Sequence, residues 1–117
     1  MSFIKSLKDA VLKDFGSVKV YEFGGSDSLD AALTEIIGNY PLSGWAVNTE
    51  CDMMYLVVSG KAKFYFKDES YKNIKKDSAV FISKGVPYRV EVLGSKPLRV
   101  WMPSSPHWSL SQYKQFE

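Results

Sequence analysis

From residue 44 to residue 102 the chain meets a turn signal every few residues, which leaves room for nothing longer than a short strand. Segments 44–49, 54–59, 61–66, 71–75, 78–82, 86–93 and 98–102 read as strands, broken by Gly60, by the polar run 67–70 and by Gly94, Ser95, Lys96 and Pro97. Short strands at such intervals build a sandwich or a closed barrel. Between Lys61 and Phe66 the alternation is clean. It places Ala62, Phe64 and Phe66 on an inner face and the lysines outside, since successive side chains of a strand point to opposite faces.

The flanks are less uniform. Phe3, Leu7, Ala10, Val11 and Phe15 recur at helical spacing, with Ser2 as an N-cap and Gly16 as a stop, and predict a short helix over residues 1–16. Residues 18–23 alternate as a strand and end at Gly24 and Gly25. In residues 28–40, Leu29, Ala32, Leu33, Ile36 and Ile37 align on a helix, yet Thr34 to Ile37 equally suits a strand entering a turn at Asn39, Tyr40 and Pro41; the strand reading is preferred for the second half. The tail, residues 103–117, holds two prolines and Trp108 and is expected to close over the strands of residues 18–102. At 117 residues the chain is expected to be a single domain.

Charge and cysteine content exclude several functions. The net charge of +2 comes from intermixed residues of both signs, and only Arg89 and Arg99 are arginine, which argues against a nucleic-acid binder. The single cysteine, Cys51, has no disulfide partner within the chain, which fits a reducing compartment. Charges interrupt the apolar residues of the N-terminus, so neither a signal peptide nor a membrane span is expected and the protein is expected to be cytoplasmic.

Two stretches carry a resemblance. Gly60 closes the run Tyr55, Leu56, Val57, Val58, Ser59; further on, Asp77 precedes the apolar residues 79–82 and then Ser83, Lys84, Gly85, Val86, Pro87, Tyr88. The middle half of the chain thereby resembles the two motifs of the cupin superfamily, His-x-His, a few residues, Glu, six residues, Gly, and then Gly-Asp, an apolar strand, Pro-x-Gly-x-x-His. The resemblance implies an all-β, cupin-like jelly-roll barrel. It also implies that the metal ligands are replaced. Met53 stands where the glutamate belongs, Val47 and Thr49 (or Ala46 and Asn48 under a one-residue shift) where the first histidines belong, Tyr88 at the last histidine and Ser83 at the proline. Met, Val and Thr cannot supply the imidazoles and carboxylate that a first-row divalent ion needs. No metal and no cofactor are therefore expected. An oxygen-rich substitute from Glu50, Asp52 and Tyr88 competes with plain solvent exposure of the two acids, and exposure is preferred because alternation puts them opposite Met53.

In the register the resemblance implies, Trp45, Val47, Thr49, Met53, Tyr55, Phe64, Tyr88 and Trp101 would line the barrel mouth. They describe either an aromatic pocket for a small apolar or ring-shaped ligand or the filling of a small barrel. Other chemistry is sparse. His107 is the only histidine and lies in the tail, where a structural or solvent-exposed role is expected, and Cys51 has the parity of an interior residue without a histidine partner. Two functions stay open. One is a metal-independent binder of an apolar, aromatic or sugar-like molecule; the other is a small isomerase or epimerase with Tyr88 as general acid and a base not identified. A homodimer is expected from family habit, and a regulator with a helix-turn-helix is disfavoured because the chain has no room for one.

Overall fold

The computed structural model describes residues 2–116. Their strands, in chain order, are β1 (Val11–Asp14), β2 (Val18–Gly25), β3 (Asp30–Ile36), β4 (Asn39–Tyr40), β5 (Trp45–Asn48), β6 (Asp52–Ser59), β7 (Lys61–Phe66), β8 (Lys72–Ile74), β9 (Ala79–Ile82), β10 (Tyr88–Leu93), β11 (Leu98–Ser105) and β12 (Tyr113–Phe116). One antiparallel sheet has the order β1-β2-β3-β11-β6-β9; the other has β12-β5-β10-β7-β8, with β4 also on β10. From β5 onward the chain changes sheet at every step except between β7 and β8, giving a jelly roll. The sheets face each other without hydrogen bonds joining their edges, so the expected closed barrel is an open sandwich.

The alternation read from the sequence is what fills the space between the sheets. Met53, Tyr55 and Val57 of β6 point inward, as do Ala62 and Phe64 of β7, Tyr88 and Val90 of β10, and Leu98, Val100 and Met102 of β11. Lys61 and Arg89 stay exposed. β3 has apolar residues on both faces, Ala32 and Ile36 inward and Leu33 outward, because it is a central strand; that double pattern is what imitates helical spacing in residues 28–40. The tail supplies β12, which pairs with β5 and covers one end of the second sheet.

The N-terminal helix is not formed. A single 3-10 turn spans Leu7–Asp9, and β1 follows at once. The Asp9 carboxylate folds back onto the N–H and O–H of Ser6, both 3.0 Å away, which holds its pKa below the usual carboxylate value. A lone helix of fifteen residues is marginal in water unless one face is buried. Here Phe3, Leu7, Val11 and Phe15 are all exposed, and pairing of β1 with β2 supplies backbone hydrogen bonds instead.

Gly60 links the sheets at the β6–β7 turn. Its φ is +89°, and a Cβ there would lie 2.5 Å from the Pro97 carbonyl oxygen and 2.9 Å from the Leu98 Cα. Gly94 also has a positive φ, of +78°, with open space around it. Gly94→Ala is expected to lose about 1–3 kcal/mol to backbone strain alone. Gly60→Ala adds a backbone clash and is expected to unfold at clearly lower urea than Gly94→Ala; equal midpoints would show that the close approach to β11 is not what requires the glycine.

Candidate functional site

An aromatic cluster bridges the sheets. Phe64 and Tyr88, neighbours in the second sheet, stack at 5.7 Å with an interplanar angle of 5°, and Tyr55 of the first sheet meets both edge-on at 5.8 and 6.0 Å. The Tyr55 hydroxyl donates to that of Tyr88 at 3.4 Å, a long contact, and both side chains are at most 1% exposed. Phe66 and Tyr40 extend the cluster at 5.1 and 6.2 Å from Phe64 and Tyr88.

Beside it lies a cavity of about 450 Å³, between β2 and β3 of one sheet and the β4–β5 region of the other. Val18, Val20, Ile36, Leu42, Met102 and Trp108 make it apolar, and the Tyr55 ring forms part of its wall. Thr34 also lines it. This residue is 3% exposed, and its Oγ1 has no hydrogen-bond partner among the described residues. A buried hydroxyl left unsatisfied costs about 1–3 kcal/mol. A second cavity, of about 640 Å³, lies at the opposite seam where β8 and β9 do not pair; Phe64, Phe66, Ile74, Val80 and Phe81 line it with the charged Glu69 and Lys72.

The eight residues named from the sequence are distributed over the sandwich. Tyr55 lines the first cavity, and Phe64 lines the second. Met53 and Tyr88 are buried in the core next to them. Val47 is buried outside that core cluster, and Thr49 is exposed, its hydroxyl donating to the Gln112 carbonyl at 3.1 Å. Trp45 and Trp101 face outward: Trp45 packs on the Arg89 guanidinium at 4.8 Å, and Trp101, 39% exposed, on Phe23 at 5.2 Å. Of the two registers left open for β5, the structure has the shifted one, with Ala46 and Asn48 inward. Thr34, Val20 and Met102 were not named because the wall they form depends on how the sheets face each other. No local pattern marks it.

Ala46, Asn48, Met53 and Tyr88 therefore occupy the positions at which the cupin motifs carry metal ligands. They do not fit a divalent ion. Asn48 Oδ1 accepts the N–H groups of Glu50 and Cys51 at 2.9 and 2.7 Å, its Nδ2 donates to Gln112 Oε1 at 3.3 Å, and Met53 and Ala46 bring no nitrogen or oxygen from their side chains. Asp52 is exposed and accepts the Lys84 N–H at 2.9 Å, and Glu50 is exposed. Among the described residues no three His, Cys, Asp or Glu side chains are grouped to hold a metal ion.

Cys51 is fully buried among acceptors, its Sγ 3.0 Å from the Pro106 carbonyl and 3.1 Å from Gln112 Oε1. Burial, and then the nearby Asp30 carboxylate, push its pKa above the ordinary thiol value. Asp30, 6% exposed, accepts the Trp108 N–H at 3.3 Å and lies 3.6 Å from Nδ1 of His107, whose ring is half exposed and also contacts the Ser26 carbonyl at 3.3 Å. Asp30 thus holds the tail against β3, and Cys51 holds it against the β5–β6 connection.

No protein-family model and no curated protein sequence matches the chain. Solved structures do. The nucleoside dehydratase Pac13 from Streptomyces, in a form with uridine bound, superposes with a TM-score of 0.82 at 10% identity, over 100% of this chain and 92% of that one. KdgF from Halomonas sp. gives 0.78 at 13% identity over 93% and 97% of the two chains. An RmlC-like cupin from Shewanella frigidimarina gives 0.75 at 15% identity over 92% and 93%. The chain has the fold of the cupin superfamily. At such identities the likeness extends to the fold and no further. No helix among the described residues is long and apolar enough to cross a membrane.

The thiol environment gives a direct expectation. Native Cys51 should not react with Ellman's reagent at pH 8, and denatured protein should release one equivalent of thiolate. Because the folded pKa is raised, its contribution to stability is complete below the unfolded thiol pKa and declines as pH rises toward the folded one. Rapid labelling of the native protein would contradict the buried, acceptor-ringed thiol.

Proposed function

We propose that this protein is a metal-independent binder of a small ring-bearing molecule, held in the 450 Å³ cavity beside Tyr55. The observation that carries the reading is the Thr34 hydroxyl, buried and without a hydrogen-bond partner among the described residues, in a mainly apolar wall that also holds Ser17 and Lys114. Ligand cavities of about 300–1,000 Å³ typically combine apolar walls with a few placed polar groups, and a small apolar, aromatic or sugar-like molecule matches this one. Pac13 adds a first compound to try, since its structures hold uridine.

The reading is tested by thermal shift with nucleosides, aromatic acids and sugars. A ligand at about one hundred times its Kd stabilises the native state by about 2.7 kcal/mol. Thr34→Val keeps the side-chain shape and removes the unsatisfied hydroxyl. It is expected to raise the melting temperature of the free protein and to weaken the ligand that shifts the wild type by about tenfold, since a neutral hydrogen bond contributes about 0.5–1.5 kcal/mol. No shift with any ring compound, together with a destabilised Thr34→Val, would contradict it. Protein purified without chelators is expected to carry no stoichiometric iron, manganese, nickel or zinc by mass spectrometry; one equivalent held in the fold would overturn the metal-independent part.

The phenol pair favours a second reading, an isomerase or epimerase type of enzyme in which Tyr88 is the general acid. Tyr55 stands at the cavity wall with the Tyr88 hydroxyl 3.4 Å behind it; once both hydroxyls rotate so that Tyr88 donates to Tyr55 and Tyr55 to the ligand, Tyr55 gives its proton to the ligand and takes one from Tyr88. On this reading Tyr88→Phe abolishes turnover of a bound ligand and leaves its thermal shift intact. On the binding reading no turnover exists to lose.

A further inference from the structure

Arg89 is held between two aromatic rings on the outer face of the second sheet. β10 runs between β5 and β7, and the register sets Trp45 and Tyr65 on either side of Arg89. The guanidinium carbon is 4.8 Å from the Trp45 ring centre and 4.6 Å from that of Tyr65. Rings on both sides leave the edge of the guanidinium, with its N–H groups, as the part that can meet a ligand. They also fix its position in advance, so little side-chain freedom is left to lose on binding.

Glu91 lies two residues further along β10 on the same face, about 7 Å away along the strand. A charge on a strand is ordinarily met by an opposite charge across it. Here the cross-strand partners are diverted. Lys63 is the register neighbour of Glu91 on β7, but its Nζ sits 4.8 Å from the ring centre of Tyr71. On the other flank the register neighbour is Asn39, which carries no charge. The ion pairs among the described residues are Lys13 with Glu22, Arg99 with Glu35 and His107 with Asp30, so within that set neither Arg89 nor Glu91 is paired.

Both residues line one cleft of about 190 Å³, with Asn39, Ser43, Gly44 and Tyr65 around them. Pro41 and Leu42 line this cleft and the 450 Å³ cavity alike, but the two share none of their charged residues. A simple oxyanion in the cleft would face Glu91, and a simple cation would face Arg89, each against a like charge. A molecule that carries both charges meets an opposite one at either end. Its carboxylate takes the guanidinium edge and its ammonium group takes the Glu91 carboxylate, both as charge-assisted hydrogen bonds.

We infer that the cleft at Arg89 and Glu91 is a binding site for a small zwitterion of the amino-acid type, separate from the cavity at Thr34, with Arg89 binding the carboxylate and Glu91 the ammonium group. The chain has two arginines, so in isotope-labelled full-length protein the side-chain Nε–H resonance of Arg89 reports on the cleft, and that of Arg99, held 3.1 Å from Glu35, is the control. The Arg89 resonance is the one that Arg89→Lys removes. Titration with glycine, β-alanine and γ-aminobutyrate is expected to shift it saturably with at least one of the three, while Arg99 does not move. Propionate and propylamine each carry one of the two charges and are expected to bind at least tenfold more weakly than that amino acid, since each forgoes a hydrogen bond to a charged group. Glu91→Gln keeps the side-chain shape and is expected to weaken the amino acid about tenfold without weakening propionate. Thr34→Val is expected to leave the titration unchanged. No saturable shift of Arg89 with any of the three amino acids overturns the inference. So does propionate or propylamine binding as tightly, an amino acid that binds Glu91→Gln as well as the wild type, or an affinity lost with Thr34→Val.

Discussion

The contact on which the structure depends is Tyr55 set edge-on against the stacked Phe64 and Tyr88 rings. Tyr55 belongs to one sheet and the stacked pair to the other, so this trio ties together two sheets whose edges share no hydrogen bonds. Aromatic pairs in such geometries contribute about 0.5–1.5 kcal/mol each beyond the area they bury. Their bulk fills the centre of the sandwich and leaves free space at its two seams. The seam beside Tyr55 encloses the unpartnered hydroxyl of Thr34.

The same packing accounts for the residues that stand at the ligand positions of the cupin motifs. Tyr88 and Met53 occupy ligand positions, and each is packed into the core. Asn48, at a third position, is committed to the turn that carries Glu50 and Cys51. The polar side chains that line the cavity are those of Ser17, Thr34, Tyr40, Tyr55 and Lys114.

Much of the fold was legible because alternation is a local signal. Ala62, Phe64 and Phe66 on one side of β7, and Arg89 opposite Tyr88 on β10, follow from strand geometry alone, and Gly60 and Asp77 were fixed by motif spacing. The conformation of Asp77, φ +72°, is the left-handed one that favours glycine, the residue type that precedes the aspartate in the motif. Failure came where tertiary pairing outweighed periodicity. Val11 and Leu12 fit a helix until β2 offers them a strand, and β3 imitates a helix because both its faces carry apolar residues. The site was legible in part. Tyr55 could be named from parity, but Met102 on β11 joins Val20 and Thr34 of the β2–β3 hairpin only through pairing distant in sequence, and no short-range pattern encodes that wall.

If the space between the sheets at Thr34 is a ligand site, the methyl resonances of the protein report on it directly. Methyl-labelled protein titrated with the ring compound giving the largest thermal shift is expected to show saturable perturbations at Thr34, Val20, Ile36 and Met102, with Ile74 and Val80 at the opposite seam unmoved. Perturbations confined to Ile74 and Val80, or spread evenly without saturation, would contradict the claim.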